Sequence, residues 1–174
     1  TITEMVFDTA GRTTQKRLTA LGSGIDGAVR RIATTYDTKG RVEKVTQYDA
    51  ASGGSVVDEV KYTYDNWGQV SNFEQDPDSA VGTGTAYAVG YGYTKRSPSG
   101  GWETLALETM TLPGSSEVTF DFGSGTDSNI SRVASVAQKV GAGAKVEVAS
   151  YQYLGLGQLV GVTYPEPGTD VTYL

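Results

Sequence analysis

The sequence predicts an all-β fold, a twisted and curved antiparallel meander of repeated β-hairpins. Three observations carry that expectation: aromatic residues return at steps of 28 to 31 positions, a tight-turn motif follows the best of them, and the flanks of those turns alternate apolar with polar. One aromatic column runs Phe7, Tyr36, Tyr64, Tyr93, Phe122 and Tyr153. Two positions earlier stand Met5, Thr34, Tyr62, Tyr91, Phe120 and Tyr151. Together the columns hold seven of the 11 Tyr and three of the four Phe, so the aromatic content is organised by an internal repeat.

The turn comes first in each unit's logic. Phe7-Asp8-Thr9-Ala10-Gly11-Arg12, Tyr36-Asp37-Thr38-Lys39-Gly40-Arg41 and Tyr64-Asp65-Asn66-Trp67-Gly68-Gln69 share an aromatic-Asp-x-x-Gly-polar core. Asp at the first position and Gly at the fourth mark a type I turn. The carboxylate accepts from a backbone N–H two or three residues on. The Gly takes a left-handed conformation and closes the hairpin with a bulge.

The flanks read as strands. In Val60-Lys61-Tyr62-Thr63-Tyr64, the residues Val60, Tyr62 and Tyr64 share one face. After the turn, Val42 to Tyr48 is rich in β-formers. Val42 and Val45 lie three apart, and a bulge beside the turn restores their alternation. A Gly- and Ser-containing loop such as 50–55 then leads to the next unit. Six units follow, at about 5–33, 34–61, 62–90, 91–119, 120–150 and 151–174, giving roughly eleven or twelve strands at two per hairpin.

Two units depart from the pattern. Residues 93–101 and 122–129 replace the tight turn with longer loops. Ile130, Val133, Val136 and Val140 fall at helical spacing, so a short helix competes there. The repeat register and the Gly141-Ala142-Gly143 stop favour strand. Leu105 to Leu107 and Met110 to Leu112 also read as strand, and Val171 to Leu174 as an incoming strand.

Composition narrows the chemistry. The 174 residues include no His and no Cys, which excludes His-based triads, His- or Cys-ligated metals, disulfides and thiolate nucleophiles. The net charge of −6 argues against an electrostatic footprint for nucleic acid. No apolar run approaches the ~20 residues of a transmembrane helix, so no membrane insertion is expected. The first residue is Thr1, and the chain reads as a mature or excised piece.

The Tyr36-Asp37-x-x-Gly40-Arg41 and Tyr64-Asp65-x-x-Gly68-Gln69 motifs, at this period, resemble the YD repeats of the RHS type, found in bacterial RHS proteins, toxin-complex C components, wall-associated proteins and teneurins. The resemblance covers essentially the whole chain and is clearest over residues 5–75. It returns at Tyr151-Gln152-Tyr153-Leu154-Gly155-Leu156-Gly157-Gln158, with Leu in place of Asp. It implies a β-sheet strip that spirals into a hollow shell enclosing a polypeptide, and carbohydrate binding has also been proposed for such repeats. Asp76-Pro77-Asp78-Ser79 begins like the motif that ends the bacterial shell but lacks its Gly. The resemblance therefore implies an arc of wall, without plug or cargo.

On this reading the motif residues carry architecture: Phe7, Asp8, Gly11, Tyr36, Asp37, Gly40, Arg41, Tyr62, Tyr64, Asp65, Gly68, Tyr91, Tyr93, Phe120, Phe122, Tyr151, Tyr153 and Gly157. No catalytic, cofactor or metal residue is expected, and no enzymatic activity. Asp121, Asp127 and Asn129 form a loose acidic cluster without EF-hand spacing. Trp67 and Trp102 are candidates for glycan or partner binding. Trp67 is the more notable because it sits in a turn that does not require it. The expected partners are neighbouring repeats of the same parent chain and, in a secreted or envelope-associated setting, an enclosed C-terminal polypeptide or a glycan.

Overall fold

A computed structural model describes residues 1–83, 86–97, 103–165 and 171–172. The chain divides into two compact units, Thr1–Ala88 and Val89–Leu174. The first holds β1 (Ile2–Phe7), β2 (Thr13–Ala20), β3 (Arg31–Tyr36), β4 (Val42–Tyr48), β5 (Val56–Tyr64) and β6 (Val70–Asp76). Each strand pairs antiparallel with the next in chain order.

The second unit follows the same rule. It runs through β7 (Tyr87–Arg96), β8 (Thr104–Leu112), β9 (Ser116–Asp121), a single helical turn α1 (Thr126–Asn129), β10 (Ser135–Lys139), β11 (Lys145–Leu154), β12 (Gln158–Thr163) and β13 (Val171–Thr172). All its pairings are antiparallel and sequential. The all-β meander expected from the sequence is the observed fold. Thirteen strands are described, and the last is the incoming strand at Val171. Its continuation at Tyr173 and Leu174 lies outside the described residues.

The strand reading of the ambiguous segment holds over Ser135–Lys139, where Val136 lies in β10, whereas Ile130, Val133 and Val140 lie outside any strand and a helical turn sits upstream, at Thr126–Asn129. The backbone N–H of Ala134 donates to Asp121 O at 2.7 Å and that of Tyr151 to Ala134 O at 2.8 Å, which ties the chain entering β10 into the sheet. A helix over 130–140 would forfeit these bonds.

The bulge inferred from the spacing of Val42 and Val45 is present and recurs. Thr35 pairs with Lys44, but Tyr36 pairs with Val42, leaving Glu43 as the extra residue. The same one-residue shift falls just before Phe7, Tyr64, Tyr93 and Tyr153. Five of the six column aromatics thus mark the point where the sheet gains a residue and extra twist. The fifth hairpin, with its long loop and α1, pairs β9 with β10 without a shift.

A cross-strand side chain explains a second feature. Gly92 lies opposite Thr109, and a Cβ at Gly92 would collide with the Thr109 hydroxyl. The Gly90-Tyr91-Gly92 segment is a strand interior.

Element contacts among the described residues join only strands adjacent in sequence. No second layer lies over the strands of either unit among them. None of the described side chains is fully buried, and the buried apolar residues are Ala106, Phe122, Ala149 and Val162, all in the second unit. In the first unit the most buried side chains are polar: Thr46, Glu59 and Asp76. Met5 and Phe7 of the two columns are exposed.

Turn glycines offer a direct test. Gly11 and Gly40 both hold a left-handed φ, 79° and 83°, but a Cβ at Gly11 meets open space whereas one at Gly40 lies 3.1 Å from Nη1 of Arg12. Gly11→Ala is expected to cost about 1–2 kcal/mol of unfolding free energy from conformation alone. Gly40→Ala should cost more, and equal losses in urea titrations would show that the Arg12 contact carries no weight.

Candidate functional site

The three regular turns are built alike. The backbone N–H of the Gly donates to the Asp carbonyl: Gly11 to Asp8 at 3.0 Å, Gly40 to Asp37 at 2.9 Å and Gly68 to Asp65 at 3.2 Å. The Asp carboxylate accepts two more backbone N–H groups, two and four residues on. Asp8 takes Ala10 and Arg12, Asp37 takes Lys39 and Arg41, and Asp65 takes Trp67 and Gln69, all at 2.9 Å. The turn-capping role expected of these carboxylates is thus seen, but the second donor is four residues on, not two or three. The extra residue is the left-handed Gly, which carries the next N–H inward.

The fifth motif position has a role the sequence did not disclose. Nε of Arg12 donates to Asp8 Oδ2 at 2.7 Å, and Nε of Arg41 to Asp37 Oδ2 at 2.7 Å. Held this way, each guanidinium lies over the aromatic ring of the next unit. Cζ of Arg12 is 4.3 Å from the Tyr36 centroid, and Cζ of Arg41 is 4.0 Å from that of Tyr64. The ring answers with its hydroxyl: Tyr36 donates to Thr13 O at 2.8 Å and Tyr64 to Val42 O at 2.7 Å. Those carbonyls belong to the residues that follow Arg12 and Arg41. Asp, Arg and the next Tyr therefore form a latch between consecutive units. Buried Nη1 of Arg41 has no hydrogen-bond acceptor; the π face of Tyr64 takes up that flank of the cation.

The second unit makes the same contact from different positions. Arg132 lies 4.1 Å over Tyr153, its Nε donates to Asp127 Oδ1 at 2.7 Å, and the Tyr153 hydroxyl donates to Val133 O at 2.9 Å. Arg96 lies 4.6 Å over Phe122. Burial raises the Tyr153 pKa; the Arg132 charge opposes this, while Tyr151 and Asp127 add to it. Four of the six column aromatics thus carry a guanidinium. Only Arg12 and Arg41 could have been found by motif position, since the long loops displace the other two.

The remaining expected residues fall as follows. Tyr62 packs on Phe73 across β5 and β6 at 5.3 Å. Tyr91 and Tyr93 lie in β7, Phe120 in β9 and Tyr151 in β11, all half-buried. Gly157 needs correction: the left-handed residue of the sixth turn is Gly155, at φ 60°, not Gly157. The turn has the same length as the regular ones, Leu154 pairing with Gln158 as Asp8 meets Arg12, but Leu154 offers no carboxylate to cap it. Asp121 caps Gly123 at 2.6 Å and Asp127 pairs with Arg132, and no group of three acidic side chains suited to a metal is found among the described residues. Trp67 is 55% exposed. Trp102 lies outside the described residues.

A row of buried polar side chains crosses β4, β5 and β6. Thr46 pairs with Glu59, and Glu59 with Asp76. Glu59 accepts from the Thr46 hydroxyl at 2.6 Å, Lys44 Nζ at 2.8 Å and the Val81 N–H at 3.2 Å. Asp76 Oδ1 accepts from the N–H groups of Asp78 and Ser79, at 3.1 and 2.9 Å. The two carboxylates face each other across one strand pair, yet both are 2% exposed and engaged with the loop that follows β6.

These features define a chain of β-hairpin units joined laterally by cation-bearing turns. No family model matches the sequence, and no curated protein does. Among solved structures the chain is similar to TcdB2-TccC3 and to TcdB2-TccC3-TEV, each at 11% identity and a TM-score of 0.46, with 93% of this chain covered. It spans only 9% of the length of either.

A double-mutant cycle isolates the latch. Arg41→Ala and Tyr64→Leu should show a coupling of about 0.5–2 kcal/mol in urea unfolding. Tyr64→Phe keeps the ring and should cost about 1 kcal/mol for the lost hydroxyl bond. Additive single mutants would remove the latch from the account.

Acid should loosen the first unit. The Asp8 carboxyl is held below its ordinary 3.8 chiefly by the Arg12 N–H, against some burial. At Asp37 burial pulls upward but is outweighed by the Arg41 N–H and guanidinium and by the Lys39 N–H. Glu59, ordinarily 4.5, is likewise lowered by Lys44, Thr46 and Val81 despite its burial. The unfolded chain therefore takes up these protons first, so the stability present near neutrality drains as pH falls from about 4.5 through the lowered folded values. Asp58, raised by burial, acts in the opposite sense. A urea midpoint that falls with acid, less steeply in Asp37→Asn, is the expected result.

Proposed function

We propose that this chain is a wall segment of an RHS/YD-type shell, which encloses or displays a polypeptide such as a toxin or effector domain on a secreted or envelope-associated protein. The observation that carries the proposal is the latch: Arg12 to Tyr36 and Arg41 to Tyr64 fasten each turn to the next unit in one geometry. Such a device serves extension by repetition. The sequence motif supplies the family reading and the single-layer sheets fit a wall. No side chain is asked to perform chemistry, so the reading is structural, not enzymatic. Its partners are neighbouring repeats of the parent chain and the enclosed polypeptide.

Electron microscopy and limited proteolysis of the intact parent protein test this. A hollow particle with a protease-resistant internal polypeptide is expected. A parent with no further Asp-x-x-Gly hairpins and no protected segment would overturn it.

Trp67 supports a second reading, a binding surface for glycans or a partner. Its indole is exposed on a turn whose geometry is complete without it. Glycan titration should then quench Trp fluorescence in the natural chain and not in Trp67→Ala; an unchanged spectrum at saturating glycan would dismiss the idea.

A further inference from the structure

We propose that the loop following β6, from Asp76 to Thr83, binds a calcium ion through the unpartnered carboxylate oxygen of Asp76. Asp76 is 2% exposed, and its Oδ2 is buried without a hydrogen-bond partner. The other oxygen, Oδ1, is taken by the N–H groups of Asp78 and Ser79, so Oδ2 lies at the foot of the same loop. A buried carboxylate oxygen lacking any donor or cation is costly.

Charge points the same way. Opposite Asp76 stands Glu59, whose charge is met by Lys44. Nothing comparable among the described residues meets Asp76, and Asp78 adds a further negative group two residues on. With Glu59 and Lys44 cancelling, the loop carries the charge of two carboxylates, which suits a divalent cation.

The donor atoms select a hard one. Asp76, Asp78 and the Ser79 hydroxyl supply only oxygen, and the chain has no His or Cys for softer metals. Calcium accepts irregular sets of carboxylate, hydroxyl, carbonyl and water oxygens, whereas magnesium demands near-octahedral order. Asp76 and Asp78 are the two carboxylates of the proposed site, and no group of three acidic side chains is found among the described residues. Such a site belongs to the weak class, with Kd on the order of 10⁻⁴–10⁻³ M. The site caps the exit of β6 and is independent of the shell reading.

The test uses the full 174-residue chain stripped with EDTA. Thermal unfolding is followed as calcium or magnesium chloride is added, and terbium luminescence is competed with calcium. A saturable rise in midpoint with calcium, smaller with magnesium, is expected. It should vanish in Asp76→Asn, weaken in Asp78→Asn and persist in the charge-matched control Glu4→Gln. Should Asp76→Asn fail to fold, the exposed Asp78→Asn and the terbium competition on the unaltered chain still decide. No saturable response in the unaltered chain, or an equal response in Asp78→Asn and Glu4→Gln, overturns the proposal.

Discussion

The structure depends on placing a guanidinium over the aromatic rings that open the turns, as at Tyr36, Tyr64, Phe122 and Tyr153. Among the described residues no second layer covers the strands, and hairpins alone bury too little to be stable. The Arg of one turn covers the ring of the next unit, the ring's hydroxyl returns a hydrogen bond to the strand that Arg begins, and the Asp fixes the Arg in place. Local turn chemistry is thereby converted into contact between units. That is the nearest-neighbour coupling a quasi-one-dimensional array requires.

The same arrangement assigns several tasks to one carboxylate. Asp37 satisfies two backbone donors, orients Arg41 and neutralises it. Where Gln69 replaces Arg, Asp65 keeps only the backbone bonds. Turn formation and unit coupling are therefore separable: the Asp-x-x-Gly core makes the hairpin, and the Arg that follows makes the array. The bulge beside five of the six rings belongs to the same design, since the extra residue places Tyr36 opposite Val42.

Much of the fold was legible because it is written locally. The Asp and Gly of each turn, the three-residue spacing of Val42 and Val45, and the strand residues around Tyr62 all act over a few positions. The latch was only half legible. Arg41 stood out as a motif residue, but its partner Tyr64 lies a whole unit away, and no local rule links them. Arg132 and Arg96 were invisible because loops of different length deliver them. Gly155 was mistaken for Gly157 because the motif was read by position after the Asp had already gone. The buried row of Thr46, Glu59 and Asp76 left no pattern, since alternating polar residues on a strand ordinarily mark its wet face.

The irregular hairpins show which part of the repeat is physically required. The fifth has lost the tight turn, the bulge and the Tyr, yet Arg96 still lies over Phe122. The fifth turn also has Gly123 where the regular turns have Asp, yet Arg132, steadied by Asp127 of the same loop, still covers Tyr153 of the sixth unit, whose hydroxyl donates to the adjoining Val133 carbonyl. If the motif served only to turn the chain, nothing would demand a cation over these rings once the turn was replaced. The contact survives the loss of the sequence that makes it elsewhere, so it answers a need of the sheet itself. A flat guanidinium is well fitted to that need: it covers an aromatic face as a hydrocarbon would while its edge stays bonded to carboxylate or carbonyl oxygen.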